Sequence, residues 1–169
     1  DDTFPALAMT QDPEEPGIMK HKPISRNQSL LGLERRLMIG MTSISSAIAT
    51  LLIFRESFDV TGNLDYARSM AFAVLGTSTL IYVFSIRSVW RPIWKIPFFG
   101  NKMLVLGVAL SFFLQWLAIH APILQGVFHT VSLSAVDWIM ILAIDFAILI
   151  VIEVAKQVYW AFTKRSSMQ

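Results

Sequence analysis

The chain has 169 residues, of which 54% are hydrophobic and 15% are charged, and its formal net charge is only +2. This composition is too apolar for an ordinary water-soluble domain. Because the sequence contains no cysteine, it excludes disulfide bonds, thiolate nucleophiles and thiolate metal sites.

The first segment of the chain is apolar after two carboxylates and then becomes polar. Residues 3–9 carry no charge, whereas residues 12–17 read DPEEPG. We therefore predict that residues 1–11 are the end of a membrane helix and that residues 12–36 form a cytoplasmic loop. No basic and apolar leader with a cleavage site is recognisable at Asp1, so we expect no signal peptide and a start within a larger protein.

The acidic pair Asp1 and Asp2 is the first candidate for chemistry. Ten helical residues rise about 15 Å, roughly half of the hydrocarbon core, so Asp2 is expected near the midplane of the bilayer. Pro5 cannot donate its backbone hydrogen bond, which opens the helix and frees carbonyl oxygens beside the carboxylate. Carboxylate and carbonyl oxygens suit a hard cation, whereas the alternative interpretation is a solvated chain terminus.

Four later segments are long and apolar enough to cross a bilayer as helices. They are residues 37–54, 69–86, 103–119 and 138–154. The connecting and terminal segments are then residues 55–68, 87–102, 120–137 and 155–169. The sequence therefore predicts an all-α membrane protein, a helical bundle of four full transmembrane helices preceded by the cytoplasmic half of a fifth.

The positive charges predict the orientation of the spans. Twelve of the fourteen Lys and Arg residues fall on one side, namely Lys20, Lys22, Arg26, Arg35, Arg36, Arg87, Arg91, Lys95, Lys102, Lys156, Lys164 and Arg165. Only Arg55 and Arg68 fall on the other side. Since short loops rich in Lys and Arg stay cytoplasmic, we expect a multi-pass protein of the cell membrane with a cytoplasmic C-terminus.

Two carboxylates interrupt the last predicted span. Asp145 lies in its middle, where a lipid-facing carboxylate would be costly, so it is expected to face the bundle. Its role there is either a structural hydrogen bond or the binding of a proton or cation. Glu153 lies near the cytoplasmic end and is predicted to form an ion pair with Lys156, three residues later.

Several segments together resemble one family of membrane proteins. Residues 1–19, DDTFPALAMTQDPEEPGIM, resemble the end of the sixth spanning helix and the following loop of P-type ATPases of the calcium-pump type. Residues 67–72, ARSMAF, resemble the entry to the eighth helix, and residues 112–128, FFLQWLAIHAPILQGVF, resemble the end of the ninth helix and its outer loop. Residues 131–138 and 151–156 resemble the flanks of the tenth helix.

The resemblance implies a set of cation ligands. Asp2 matches the sixth-helix aspartate that binds the transported cation, which in this family is most often Ca²⁺. Asp1 falls where calcium pumps commonly carry a threonine, and Thr79 falls where the family often has a glutamate or glutamine. These differences leave open one calcium ion, another cation, or coupling to protons.

The resemblance further implies the C-terminal transport part of an ATP-driven cation pump. Its partners are then the lipid bilayer, the missing N-terminal helices and the cytoplasmic domains of the parent, with no nucleic acid. No phosphorylated Asp-Lys-Thr-Gly-Thr loop is found in the sequence, so ATP and Mg²⁺ are expected to act only in the full-length parent, and this segment is expected to be inactive alone. The alternative is a self-contained four-helix transporter that uses Asp145, or a regulatory membrane subunit.

Overall fold

The computed structural model describes residues 3–13, 32–87 and 92–166, and every regular element in those ranges is a helix. In chain order, they are α1 Thr3–Met9, α2 Leu33–Thr61, α3 Leu64–Ile86, two 3₁₀ turns at Ile93–Lys95 and Phe98–Gly100, α4 Lys102–His120, α5 Pro122–Phe128 and α6 Ala135–Ser166. The prediction of an all-α protein is confirmed.

Four of these helices are long and apolar enough to cross a membrane. The qualifying segments are Arg36–Thr61, Leu64–Ile86, Lys102–His120 and Ala135–Val158, which lie in α2, α3, α4 and α6. They coincide in order with the four spans that the sequence predicts. These four helices indicate a multi-pass integral membrane protein.

The first long helix extends beyond the apolar stretch that predicted it. Helix α2 continues to Thr61, seven residues past the predicted end of the span at residue 54. Arg55 and Asp59 stand one helical turn apart with their side chains 3.5 Å apart, a spacing that favours helix in water. The segment 55–68, expected to be an outer loop, is consequently helical except at two residues.

Those two residues, Gly62 and Asn63, form a tight turn between α2 and α3. Gly62 adopts a left-handed backbone with φ of 64°, and its amide donates to the Phe58 carbonyl, which ends α2. Asn63 begins α3, because its side chain accepts hydrogen bonds from the amides of Asp65 and Tyr66. Glycine after the last turn and asparagine at the N-cap are the residues that these two positions favour.

Replacing Gly62 by Ala is expected to destabilise this turn by about 1 kcal/mol, because a Cβ atom disfavours the left-handed backbone. No heavy atom lies within 4 Å of the added Cβ, so the cost comes from the backbone alone. Thermal unfolding of the purified protein measures it, with Gly126→Ala as the control, since Gly126 is helical and also has open space around it. Equal or higher stability of Gly62→Ala than of the control would contradict this explanation.

Helix α3 packs against α2, α4 and α6 and holds two buried clusters together. The first consists of Ile53, Met70, Ala73, Val74, Ile119, Leu133 and Ile141. The second consists of Ala8, Val83, Phe84 and Leu104 and joins α1, α3 and α4. Because lipid is as apolar as these side chains, their stabilising contribution comes from close packing rather than from removal from water.

The outer surface of the bundle is apolar, as contact with lipid requires. Large hydrophobic side chains such as Ile44, Leu51, Leu106 and Ile139 are exposed on the four long helices. A continuous apolar surface of this kind is rare on a protein that lives in water. In lipid it carries no penalty, because the hydrocarbon chains are as apolar as these side chains.

Polar contacts between the helices fix their positions relative to one another. The Gln115 side-chain amide on α4 donates to the Ala73 carbonyl of α3 at 2.9 Å. The Tyr66 hydroxyl on α3 donates to Asp137 on α6 at 2.8 Å, and Asp137 also accepts from the Ser134 amide at 2.7 Å. Such hydrogen bonds have few competing partners in lipid, so they fix α4 and α6 against α3.

Candidate functional site

Two of the predicted site residues, Asp1 and Asp2, lie outside the described residues. The structure describes the helix that follows them, α1, from Thr3 onward. Pro5 is buried in the first turn of this helix, and its neighbours Ala6 and Met9 line a cavity with it. The described part of the segment that the sequence predicts to carry the ion ligands therefore lines this cavity.

The cavity has a volume of about 570 Å³ and lies among α1, α2, α3 and α6. Twelve of the nineteen residues that line it are apolar. The polar ones are Thr42, Ser43, Ser46, Ser78, Thr79, Tyr82 and Asp145. One wall is therefore rich in hydroxyl groups, contributed by α2 and α3, and α6 adds one carboxyl.

Thr79, predicted as a cation ligand, is half-buried and lines this cavity. Its hydroxyl donates to the Gly76 carbonyl at 2.8 Å. Thr42 does the same toward the Met38 carbonyl at 2.8 Å. Because the Thr79 hydroxyl uses its hydrogen on its own helix, its oxygen lone pairs remain available to accept a hydrogen bond or to bind a cation.

Asp145, the other predicted residue within the described ranges, lines the same cavity from α6. Only 1% of its surface is exposed. Neither of its carboxyl oxygens has a hydrogen-bond partner among the described residues. The structure thus brings Asp145 and Thr79 to one cavity, and it does not provide the structural hydrogen bond that the sequence left open as the simpler role of Asp145.

The start of α1 touches α4 at a glycine. A Cβ atom placed on Gly107 would lie 3.1 Å from the carbonyl oxygen of Phe4 and 3.2 Å from its carbonyl carbon. Only a glycine lets the two backbones approach this closely, because the neighbouring atoms belong to the main chain and cannot rotate away. Gly107 therefore sets the distance of α4 from the helix turn that contains Pro5.

The end of α1 is held by polar side chains. Asn101 caps α4 by accepting from the Leu104 amide, and its own amide donates to the Ala8 carbonyl at 2.8 Å and to Asp12 at 3.1 Å. Arg87, which follows α3, lies 2.9 Å from the Asp12 carboxylate, and its side chain is 3% exposed. Both ends of α1 are consequently fixed, the first by its close approach to Gly107 and the second by Asn101 and Arg87.

Glu153, the carboxylate that follows Asp145 on α6, is fully paired. It lies 3.0 Å from the Lys156 ammonium, and both side chains are 4% exposed. It also accepts from the Ser85 hydroxyl at 2.6 Å and from the Ile93 amide at 3.1 Å. The predicted ion pair is confirmed. It is buried where α3, α6 and the loop after α3 meet, rather than exposed at the lipid headgroups.

No group of three or more His, Asp or Glu side chains that could hold a metal ion comes together within residues 3–13, 32–87 and 92–166. Among the described residues that line the cavity, Asp145 is the one carboxyl. The described part of the cavity therefore offers one acidic group and several neutral oxygens.

Sequence reasoning missed the residues that hold α1. Asn101 stands two residues before an apolar run, which is an N-cap signal, but its contact with the Ala8 carbonyl of α1 joins residues 93 positions apart. Gly107 is one glycine among other small residues in its span, and nothing local marks it as the contact point. Arg87 was counted only as one of many loop cations.

Comparisons with known proteins identify related sequences over nearly the whole chain. The family model described as "Cation transporting ATPase, C-terminus" matches residues 1–158. The chain is 32% identical to "Calcium-transporting ATPase 1" of Bacillus cereus, in an alignment that covers 92% of the chain and 19% of that protein.

Two further relatives show the same pattern. The chain is 31% identical to "Calcium-transporting ATPase" of Bacillus subtilis, covering 85% of the chain and 16% of that protein. It is 30% identical to "Calcium-transporting ATPase type 2C member 2" of Rattus norvegicus, covering 90% of the chain and 16% of that protein. The chain thus spans less than a fifth of the length of each of these relatives.

Proposed function

The chain belongs to the family of cation-transporting ATPase C-terminal regions, and from this membership we propose that it forms the C-terminal transport part of an ATP-driven cation pump. The transported ion is calcium. The names of the Bacillus and rat relatives support this choice of ion. The observation that carries the proposal is the match over residues 1–158, together with the cavity that α1 enters.

The pump binds its cation at the acidic start of this chain. Asp2 is the principal ligand, and Asp1 adds a second carboxylate. Because Pro5 has no amide hydrogen to donate to the carbonyl four residues earlier, the carbonyl oxygen of Asp1 is available to the ion as well. The anchoring of α1 by Gly107 and Asn101 supports this role, since an ion site needs ligands held on rigid elements.

Thr79 contributes a neutral oxygen to the same site. It lines the cavity, and its lone pairs are available. A hydroxyl supplies no negative charge, so it compensates a divalent cation less well than a carboxylate does. We therefore expect one calcium ion per transport cycle rather than two.

ATP hydrolysis belongs to the remainder of the pump. The preceding helices and the cytoplasmic domains bind ATP and Mg²⁺, and they are the main protein partners of this chain in the bilayer. The C-terminus lies on the cytoplasmic side of the cell membrane, as the distribution of Lys and Arg indicates. The alternative of a self-contained small transporter or a regulatory subunit is not favoured by the relatives, all of which are named as cation-transporting or calcium-transporting ATPases.

Phosphorylation by ATP tests the proposal. The full-length pump that carries this chain is incubated with radiolabelled ATP, with each of several cations in turn, and the acid-stable phosphoenzyme is counted. We expect phosphorylation that requires Ca²⁺, with one bound calcium ion per phosphoenzyme. Phosphorylation that is independent of every cation would refute the pump, and dependence on a different ion would refute calcium.

A further inference from the structure

Helix α6 carries three buried carboxyl groups. Asp137, near its start, accepts hydrogen bonds from Tyr66 and Ser134. The other two, Glu153 and Asp145, differ in their partners. Glu153 and Asp145 are 3% and 1% exposed, respectively. Glu153 is neutralised by Lys156 and hydrogen-bonded by two further donors. Asp145 lies eight residues earlier on the same helix, and neither of its oxygens has a hydrogen-bond partner among the described residues.

An isolated carboxylate in such surroundings is costly. Burying an unpaired charge among apolar groups carries a penalty large enough that the group gives up its charge or acquires a counterion. The described residues supply no cationic side chain to the cavity, whose polar lining consists of hydroxyl groups and Asp145 itself. The positive charge that accompanies Asp145 therefore comes from outside the described residues.

The surroundings favour a proton over a metal ion as that positive charge. A divalent cation needs six or more oxygens and more than one negative charge to replace its hydration shell. The cavity around Asp145 is mostly apolar, and one carboxyl is the whole of its described negative charge. A proton needs only that carboxyl, and once bound it leaves a neutral group that an apolar wall tolerates.

The other titratable groups near Asp145 are few. Helix α3, which packs against α6, contributes Tyr82 to the cavity. The parts of α1 and α2 that line the cavity contribute hydroxyl and apolar side chains and no ionisable group. On α6 itself, Glu153 is the nearest acidic residue toward the C-terminus, and its charge is already matched by Lys156.

We propose that Asp145 is an exchangeable proton-binding residue of the intramembrane cavity, distinct from the cation ligands at the start of α1. This proposal rests on the proposed function, because the exchange of the Asp145 proton is coupled to transport of the cation. When a cation binds at the site at the start of α1, its charge repels the proton, which leaves the Asp145 carboxyl for water and leaves a carboxylate behind. When the cation departs, the carboxylate takes up a proton from water, so charge and atoms balance over the cycle.

Labelling with dicyclohexylcarbodiimide tests the proton-bearing state without requiring transport. This apolar reagent adds to protonated carboxyl groups in apolar surroundings and leaves ionised ones unreacted. In the full-length pump without calcium, mass spectrometry is expected to find the adduct on Asp145 and not on the equally buried Glu153. Labelling is expected to fall as the pH rises and as calcium is added, and to be insensitive to Na⁺ and K⁺.

Three results would overturn this inference: no adduct on Asp145, equal labelling of Glu153, or protection by Na⁺ or K⁺ in place of calcium. The last would indicate a monovalent metal ion. A second measurement compares the wild type with Asp145→Asn in proteoliposomes, by counting the protons released per calcium ion taken up. We expect the variant to keep calcium-dependent phosphorylation and to exchange fewer protons per ion.

If Asp145→Asn pumps calcium and releases as many protons per calcium ion as the wild type, the role of Asp145 is refuted. The proposed function as a pump is not affected by that result. Absence of calcium-dependent phosphorylation in the wild type would refute the proposed function instead. In that case the carbodiimide pattern still decides whether Asp145 holds a proton. The two failures are therefore distinguishable.

Discussion

Replacing Glu153 by Gln is expected to lower the free energy of unfolding by about 3–5 kcal/mol, because it leaves the Lys156 ammonium buried without its counter-charge. Both side chains of this pair are 4% exposed, so water cannot take the place of the lost carboxylate. The measurement is the unfolding midpoint of the detergent-solubilised protein in thermal and denaturant titrations.

Two control variants separate loss of the pair from loss of a side chain. The double variant Glu153→Gln with Lys156→Met is expected to recover part of the stability, since no unpaired charge remains and Gln still accepts from the Ile93 amide. Arg55→Gln breaks a pair whose side chains are 83% and 63% exposed, and it is expected to change stability little. Equal effects of Glu153→Gln and Arg55→Gln would contradict the burial of the junction.

Replacing Gly107 by Leu is expected to weaken cation binding by about ten- to a hundredfold, because displacement of a binding group by about 1 Å has effects of this size. The Cβ atom alone would lie 3.1 Å from the Phe4 carbonyl oxygen, and the rest of the Leu side chain requires still more room. Helix α1 has to move away from α4, and the carboxylates that precede it move as well. Calcium affinity is read from the calcium dependence of phosphorylation in the full-length pump.

A graded series makes the Gly107 prediction specific. Gly107→Ala requires a shift of only a few tenths of an ångström and is expected to have a smaller effect than Gly107→Leu. Gly126→Leu serves as the matched control, because nothing lies within 4 Å of a Cβ at Gly126. If Gly107→Leu binds calcium as tightly as Gly126→Leu does, the close approach of α1 and α4 is not what positions the ligands.

The fold could be predicted from the sequence because lipid imposes a simple rule. A helix that crosses the bilayer has to be apolar over about 20 residues, so hydropathy alone finds the four spans. The ends of the helices could not be predicted in the same way. Residues 55–61, RESFDVT, mix charged and apolar side chains and remain helical, and the turn is reduced to Gly62 and Asn63.

The candidate site could be predicted only in part. Asp145 was identifiable because a carboxylate within an apolar span is unusual whatever surrounds it. Its lack of a hydrogen-bond partner among the described residues could not be predicted, because that depends on which side chains α2 and α3 bring to the cavity. The surroundings of Glu153 could also be predicted only in part. Its spacing from Lys156 predicted the ion pair, while the contacts with Ser85 and Ile93 arise from residues 60 to 68 positions away.

The contacts that hold α1 connect the candidate site to helices α3 and α4. Arg87 lies at the end of α3, and Asn101 begins α4, so both helices hold the segment that ends at Asp12. Any movement of α1 during transport has to pull on the loop between α3 and α4 or break these contacts. We therefore expect this loop to change its position when the cation binds.

Equilibrium binding of radioactive calcium to the full-length pump tests the central claim most directly. Asp2→Asn removes the charge of the proposed principal ligand with almost no change in size, and it is expected to lower calcium affinity at least about a hundredfold, the effect of losing roughly 3 kcal/mol of ion binding. Asp59→Asn, which changes an exposed carboxylate at the end of α2, is expected to bind calcium as the wild type does. Unchanged calcium affinity in Asp2→Asn would contradict an ion site at the start of this chain.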